Sequence, residues 1–130
     1  MIEKSLFRKA FILLIAIGVM SFLDSQLYLT WIYWWFDMVM HFSAGGVIGM
    51  ATVLYCIYFS RFLDNKIKII LLSALAGLVV GIAWELFELY FDMTTFKEGF
   101  AYITDTLTDL SLDMLGAILF GIYSTKFIKK

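Results

Sequence analysis

The sequence predicts an all-α integral membrane protein: a four-helix bundle with N and C termini cytoplasmic and a short aromatic interfacial segment between helices 1 and 2. Three observations carry this. Of 130 residues, 62% are hydrophobic and only 16% charged, with no proline and a mean hydropathy of +0.89, the balance of a chain whose solvent is lipid. Apolar stretches approaching the ~20 residues needed to cross ~30 Å of hydrocarbon recur four times. The basic residues fall on one side of the resulting zigzag. Lys4, Arg8 and Lys9 precede the first stretch, Arg61, Lys66 and Lys68 separate the second from the third, and Lys126, Lys129 and Lys130 follow the fourth. Only Lys97 falls on the other side, so the positive-inside rule puts both termini and the middle loop in the cytoplasm. A single transmembrane domain, residues 1–130, is expected, multi-pass in the cell (inner) membrane.

The first span, about residues 8–28, needs Arg8 and Lys9 to snorkel, because Ala10 to Leu23 is short on its own. Its basic start and apolar body outline a signal peptide, but no small-x-small cleavage site follows, so it reads as an uncleaved span. Leu27 to Phe36 holds Trp31, Trp34 and Trp35, which suit headgroup level as interface anchors before they suit a substrate platform. The second span covers about residues 37–60 and the third about 69–91, with a polar loop from Arg61 to Lys68 between them. After a loop with Asp92, Lys97, Glu98 and Gly99, the fourth covers about residues 103–125. Cys56 has no second cysteine to pair with and, in an apolar run, reads as a buried, inert thiol. The small basic groups at segment ends form no patch for nucleic acid.

The acids depart from the apolar pattern. Asp105, Asp109 and Asp113 recur every fourth residue, which stacks them on one helix face with a drift of about 40° per step. The fourth span has only twelve uncharged residues, Met114 to Thr125, about 18 Å of helix, so Asp109 and Asp113 must enter the membrane with it. Counting from the basic residues at about 1.5 Å per residue places His41 and Glu88 about 30 Å up, Glu85 and Asp109 about 26 Å, Asp113 about 20 Å and Asp105 about 32 Å. Asp37 stands about 36 Å up. Three helices thus bring carboxylates and the chain's one histidine to a common level near the outer boundary. Small residues continue each polar stripe, in Asp37-His41-Gly45-Gly49, Gly77-Gly81-Glu85 and Asp109-Asp113-Ala117-Gly121, so the polar faces should turn inward.

Six carboxylates with no Lys or Arg in the three spans that carry them need protons, a cation or a hydrated cleft. One imidazole among carboxylates suits a divalent metal such as Zn²⁺, Mn²⁺, Fe²⁺ or, on the carboxylates alone, Mg²⁺. The candidate metal ligands are His41, Glu85, Glu88, Asp109 and Asp113, and the candidate catalytic acids Asp109, Asp105 and Asp37. Taken singly, Asp37 and Asp105 also fit helix N-terminal acids, and His41 fits a structural hydrogen bond. Their shared level and face favour a site.

Asp37-x-x-x-His41-Phe42-x-x-Gly45, Trp84-Glu85-x-x-Glu88 and Asp109-x-x-x-Asp113-Met114 with Gly116-Ala117 resemble the YjdF-like inner-membrane family. More distantly they are similar to the VanZ-like family linked to glycopeptide-antibiotic resistance. VanZ-like proteins usually have Gln where Glu88 stands, Asn where Asp113 stands, and an Arg before the aspartates that this chain lacks. The resemblance covers about residues 37–121, leaves out the first span, and implies a membrane protein without a settled reaction. The functional expectation is a metal-dependent hydrolase or transferase acting on a lipid-linked or headgroup phosphate. The alternatives are a cation- or proton-translocating protein and a non-catalytic membrane binding module. The expected partners are the bilayer and a lipid substrate, and a homo-oligomer is compatible with the sequence.

Overall fold

The computed structural model describes residues 2–59, 65–94 and 99–128. Five α-helices follow one another: α1 (Ile2–Leu27), the single turn α2 (Leu29–Ile32), α3 (Phe36–Phe59), α4 (Lys66–Tyr90) and α5 (Phe100–Ser124), with a closing 3₁₀ turn (Thr125–Phe127). No strand occurs among the described residues. The four long helices are each apolar and long enough to cross a membrane. The all-α, four-span bundle is the expected fold. The loop residues Arg61, Asp64, Lys97 and Glu98 and the terminal Lys129 and Lys130 lie outside the described residues.

Helix boundaries differ from the expected ones where polar residues extend a helix rather than end it. Lys4, Arg8 and Lys9 belong to α1, since lysine and arginine are good helix formers and a helix end can project into water. Lys66 and Lys68 fall in the first turn of α4, because the side chain of Asn65 accepts a hydrogen bond from the Lys68 amide at 3.1 Å and caps the helix there. Between α1 and α3 the chain turns at Tyr28, which is left-handed at φ 55°. The Asp24 carboxylate then accepts from the Thr30 amide at 2.7 Å and the Thr30 hydroxyl at 2.9 Å, fixing where the aromatic segment stands.

Helix α5 is the centre of the bundle, packed against α3 on one side and α4 on the other. The α3 contact is made backbone to backbone. A Cβ on Gly45 would run into the carbonyl of Asp113, one on Gly49 into that of Ala117, and one on Gly116 into that of Phe42. On the other side, a Cβ on Gly77 would lie 2.8 Å from the Ala117 Cβ, and one on Gly81 2.6 Å from Asp113 Oδ2. In lipid, where apolar side chains gain nothing by leaving the solvent, such close backbone approach supplies the dispersion contacts that hold helices together. Exposed Leu71, Leu75 and Val79 on α4, and Ile12, Ile15 and Val19 on α1, are therefore lipid-facing rather than unsatisfied.

Helix α1 lies mainly against α3 and is the least buried of the four. Its N-terminal half meets the chain's end: Leu6 and Ala10 pack with Met50, Val53, Cys56 and Ile69, and Phe127 and Ile128 close the cluster. The termini therefore share one end of the bundle. Cys56 is fully buried there. Buried Thr52, Ser73 and Ser124 in this half each donate to a carbonyl one turn back on their own helix.

Candidate functional site

At the opposite end the polar stripes of α3 and α5 meet. Asp37 enters in the first turn of α3, where a carboxylate is favoured by the helix dipole, and His41 follows one turn later. Asp109 and Asp113 occupy successive turns of α5, and the close α3–α5 approach at Gly45 and Gly116 brings them against the imidazole. His41 Nδ1 lies 3.2 Å from Asp113 Oδ2. Its Nε2 lies 3.7 Å from Asp37 Oδ1 and 3.8 Å from Asp109 Oδ2. His41, Asp109 and Asp113 are 7%, 4% and 3% exposed, while Asp37 is half-buried at the rim.

Each ring nitrogen has a separate task in this arrangement. With the proton on Nδ1 donated to Asp113, Nε2 turns its lone pair toward the two remaining carboxylates. The ligand atoms of Asp37, His41 and Asp109 all lie within 4.8 Å of one another. The Asp113 carboxylate is enclosed by His41 on one side and the bare backbone of Gly81 on the other, which leaves its orientation little freedom. The ion pairs among the described residues all involve His41. Three carboxylates around one imidazole, without a lysine or arginine among them, leave an excess of negative charge in a poorly solvated place.

The remaining acids from the sequence stand around this group on other partners. Glu85 is 6% exposed and accepts from the Thr106 hydroxyl at 2.7 Å through Oε2, while its buried Oε1 has no hydrogen-bond partner. Glu88 is partly exposed and folds back along α4, where Trp84 Nε1 donates to its Oε1 at 2.9 Å. Asp105 is exposed and stands in the second turn of α5, so it is not a first-turn acid of that helix. The structure thus brings Asp37, His41, Asp109 and Asp113 together and holds Glu85 and Glu88 on separate hydrogen bonds.

A cavity of about 510 Å³ leads to the group. Asp37, Asp105 and Asp109 line it together with Thr30, Trp34, Thr104 and Thr108. Trp31 remains almost fully exposed, as an interface anchor would, whereas Trp34 is 78% exposed yet forms part of the cavity wall. Two contributors were not evident in the sequence. Thr106 carries no signal, because membrane-helix hydroxyls ordinarily bond their own helix, as Thr104, Thr108 and Ser111 do here. Thr30 enters only because Asp24 caps the turn before it.

No curated protein and no solved structure matches this chain, and neither the YjdF-like nor the VanZ-like name is carried by a comparison. A family model does match, over residues 5–130, and so takes in α1 as well as the site helices. This multi-pass membrane protein belongs to the family described as "Predicted membrane protein (DUF2238)".

Proposed function

We propose that Asp37, His41 and Asp109 bind one divalent cation, and that the cation serves hydrolysis or transfer on the phosphate of a lipid headgroup or lipid-linked substrate. The observation that carries this reading is the division of labour at His41: Nδ1 on the Asp113 carboxylate, Nε2 facing two more. Metal-binding histidines are held this way, with a carboxylate on the far nitrogen fixing ring and tautomer. Ligand atoms about 2.1 Å from a tetrahedral ion stand roughly 3.4 Å apart, so separations of 3.7 and 3.8 Å close around an ion with small side-chain movements. A cation also answers the excess negative charge.

The ion's open positions would face the cavity, where a phosphate oxygen and a water can both reach it. Asp105, exposed in the cavity wall, is placed to take the proton of the attacking water and pass it to solvent. In such a step a water oxygen would bond to phosphorus as the P–O ester bond breaks, Asp105 would take the water's proton and the leaving oxygen a proton from solvent; an ion held by Asp37, His41 and Asp109 would supply charge stabilisation at the phosphoryl oxygens. Headgroup depth, counted along the helices, and the outward orientation expected from the basic residues at the opposite end support the proposal. Translocation of a cation or proton is disfavoured because below Asp113 the buried core is apolar, Met50, Val53, Ile69 and Ala117 among it, and the buried hydroxyls of Thr52, Ser73 and Ser124 donate within their own helices.

Elemental analysis of the purified protein should find about one equivalent of a divalent metal, lost in His41→Ala. Added Mn²⁺, Zn²⁺ or Mg²⁺ at about 100 times its Kd should stabilise the metal-free protein by about 2.7 kcal/mol. No bound metal together with no rise in Tm for any of the three ions would rule the metal reading out.

A further inference from the structure

A groove of about 270 Å³ opens between α3 and α5, lined by Phe42, Leu119, Phe120 and Tyr123; it begins at Phe42, next to His41, and ends at Tyr123, toward the end of the bundle away from the carboxylates. Its walls are apolar except at Tyr123, where two cations gather. Lys9 of α1 donates to the Tyr123 hydroxyl at 2.6 Å, and Lys126 places its ammonium 3.5 Å from the centre of the same ring. Both lysines are exposed. Since the ion pairs among the described residues all lie at His41, neither ammonium has a carboxylate among them to answer it. Two like charges held on one neutral phenol repel each other, and an anion placed between them removes that repulsion.

We propose that this groove and lysine pair bind one anionic glycerophospholipid, with part of an acyl chain against Phe42, Leu119 and Phe120 and its phosphate between Lys9 and Lys126. The parts match in chemistry and in order. The groove runs along about one turn of α5, roughly 6 Å, and ends at the phenol, so an amphipathic ligand lying in it delivers its polar end to the lysines. Because the phenol oxygen accepts from Lys9, its own O–H proton is free to be donated to a phosphate oxygen. This is also the end that carries Lys4, Arg8, Lys66 and Lys68. Basic pockets between spanning helices at that level recognise lipid headgroups, and the cytoplasmic leaflet's anionic lipids are drawn to such residues. Tyr123 lies on α5 and Lys9 on α1, so a bound lipid also bridges the least buried helix to the centre of the bundle.

The test is lipid occupancy of the full chain in mild detergent, read by native mass spectrometry with phosphatidylglycerol and phosphatidylcholine of identical acyl chains, and with inorganic phosphate alone. Phosphatidylglycerol should bind in preference to phosphatidylcholine, and inorganic phosphate should show no retained adduct. Lys9→Gln with Lys126→Gln should lower the preference roughly 30-fold, the value for two lysines near a membrane surface. Lys4→Gln with Arg8→Gln, at the same end but outside the groove, should leave it unchanged. Leu119→Trp, which fills the groove and keeps both charges, should abolish retention of either lipid, and stands in if the lysine variant does not fold. Equal binding of the two lipids, phosphate adducts as abundant as lipid, equal loss in the Lys4/Arg8 variant, or undiminished lipid in Leu119→Trp would each overturn the proposal.

Discussion

The contact between α3 and α5 makes Gly116→Ala the most informative single change outside the polar group. The new methyl would run into the carbonyl of Phe42 and stand 3.0 Å from the Gly46 amide nitrogen. Carbon packs comfortably at about 3.5–4.0 Å, and the obstructing atoms are backbone that cannot rotate away, so the helices must part by roughly 1 Å. His41 is the residue before Phe42, and Asp113 lies three residues before Gly116. The same separation therefore stretches Nδ1–Oδ2 from 3.2 Å to about 4 Å, and the hydrogen bond is lost. Overpacking costs about 1–3 kcal/mol and a buried bond to a charged group about 1.5–3, against a gain of about 1 from replacing glycine by alanine in a helix. A net loss of about 1.5–5 kcal/mol follows. Gly18→Ala on α1 is the matched control, because a Cβ there meets nothing within 4 Å and only the helix-propensity gain of up to about 1 kcal/mol remains. Reversible unfolding in mixed detergent micelles measures both. If Gly116→Ala unfolds within about 0.5 kcal/mol of the wild type, or indistinguishably from Gly18→Ala, the backbone contact does not hold the site together.

Two further changes address the polar residues directly. Asp113→Asn keeps the shape of the His41 partner and removes its charge, so calorimetric titration with Mn²⁺ should show affinity falling about 10- to 100-fold with the fold retained; unchanged affinity means that Asp113 does not orient the imidazole. Thr106→Val strips Glu85 of its hydrogen-bond donor and leaves a buried carboxylate with neither oxygen paired, a loss of about 1–3 kcal/mol that Thr106→Ser should restore. Equal unfolding midpoints for the valine and serine variants would mean that the cross-helix bond contributes nothing.

Much of this could be read from spacing. Asp37 and His41 continue into Gly45 and Gly49, and Asp109 and Asp113 into Ala117 and Gly121. In both helices the small residues do sit at the interhelical contact with the polar residues on the same side. Counting residues from the basic end also put His41, Glu85 and Asp109 at one level, because helical rise is constant. Glu85 and Glu88 show where counting stops. Both have the right level, yet Glu85 reaches Thr106 and Glu88 bonds Trp84 four residues back, since a glutamate's flexible side chain can satisfy itself on several neighbours. Trp34 belongs with the other tryptophans by composition and joins the cavity only through a turn set by Asp24 and Thr30.

The sequence by itself determined the four apolar helices, the end at which the basic residues gather, and the faces on which the acids lie, because these depend only on hydropathy, helical rise and a period of 3.6 residues. Tertiary structure decided which carboxylates meet the imidazole. A pattern locates a side chain to about a turn in height and some 40° in azimuth, whereas being a ligand or a neighbour is settled over 1 or 2 Å. Those ångströms were set by how closely bare glycine backbone let α5 approach α3 and α4, a distance that exists only once the helices are packed.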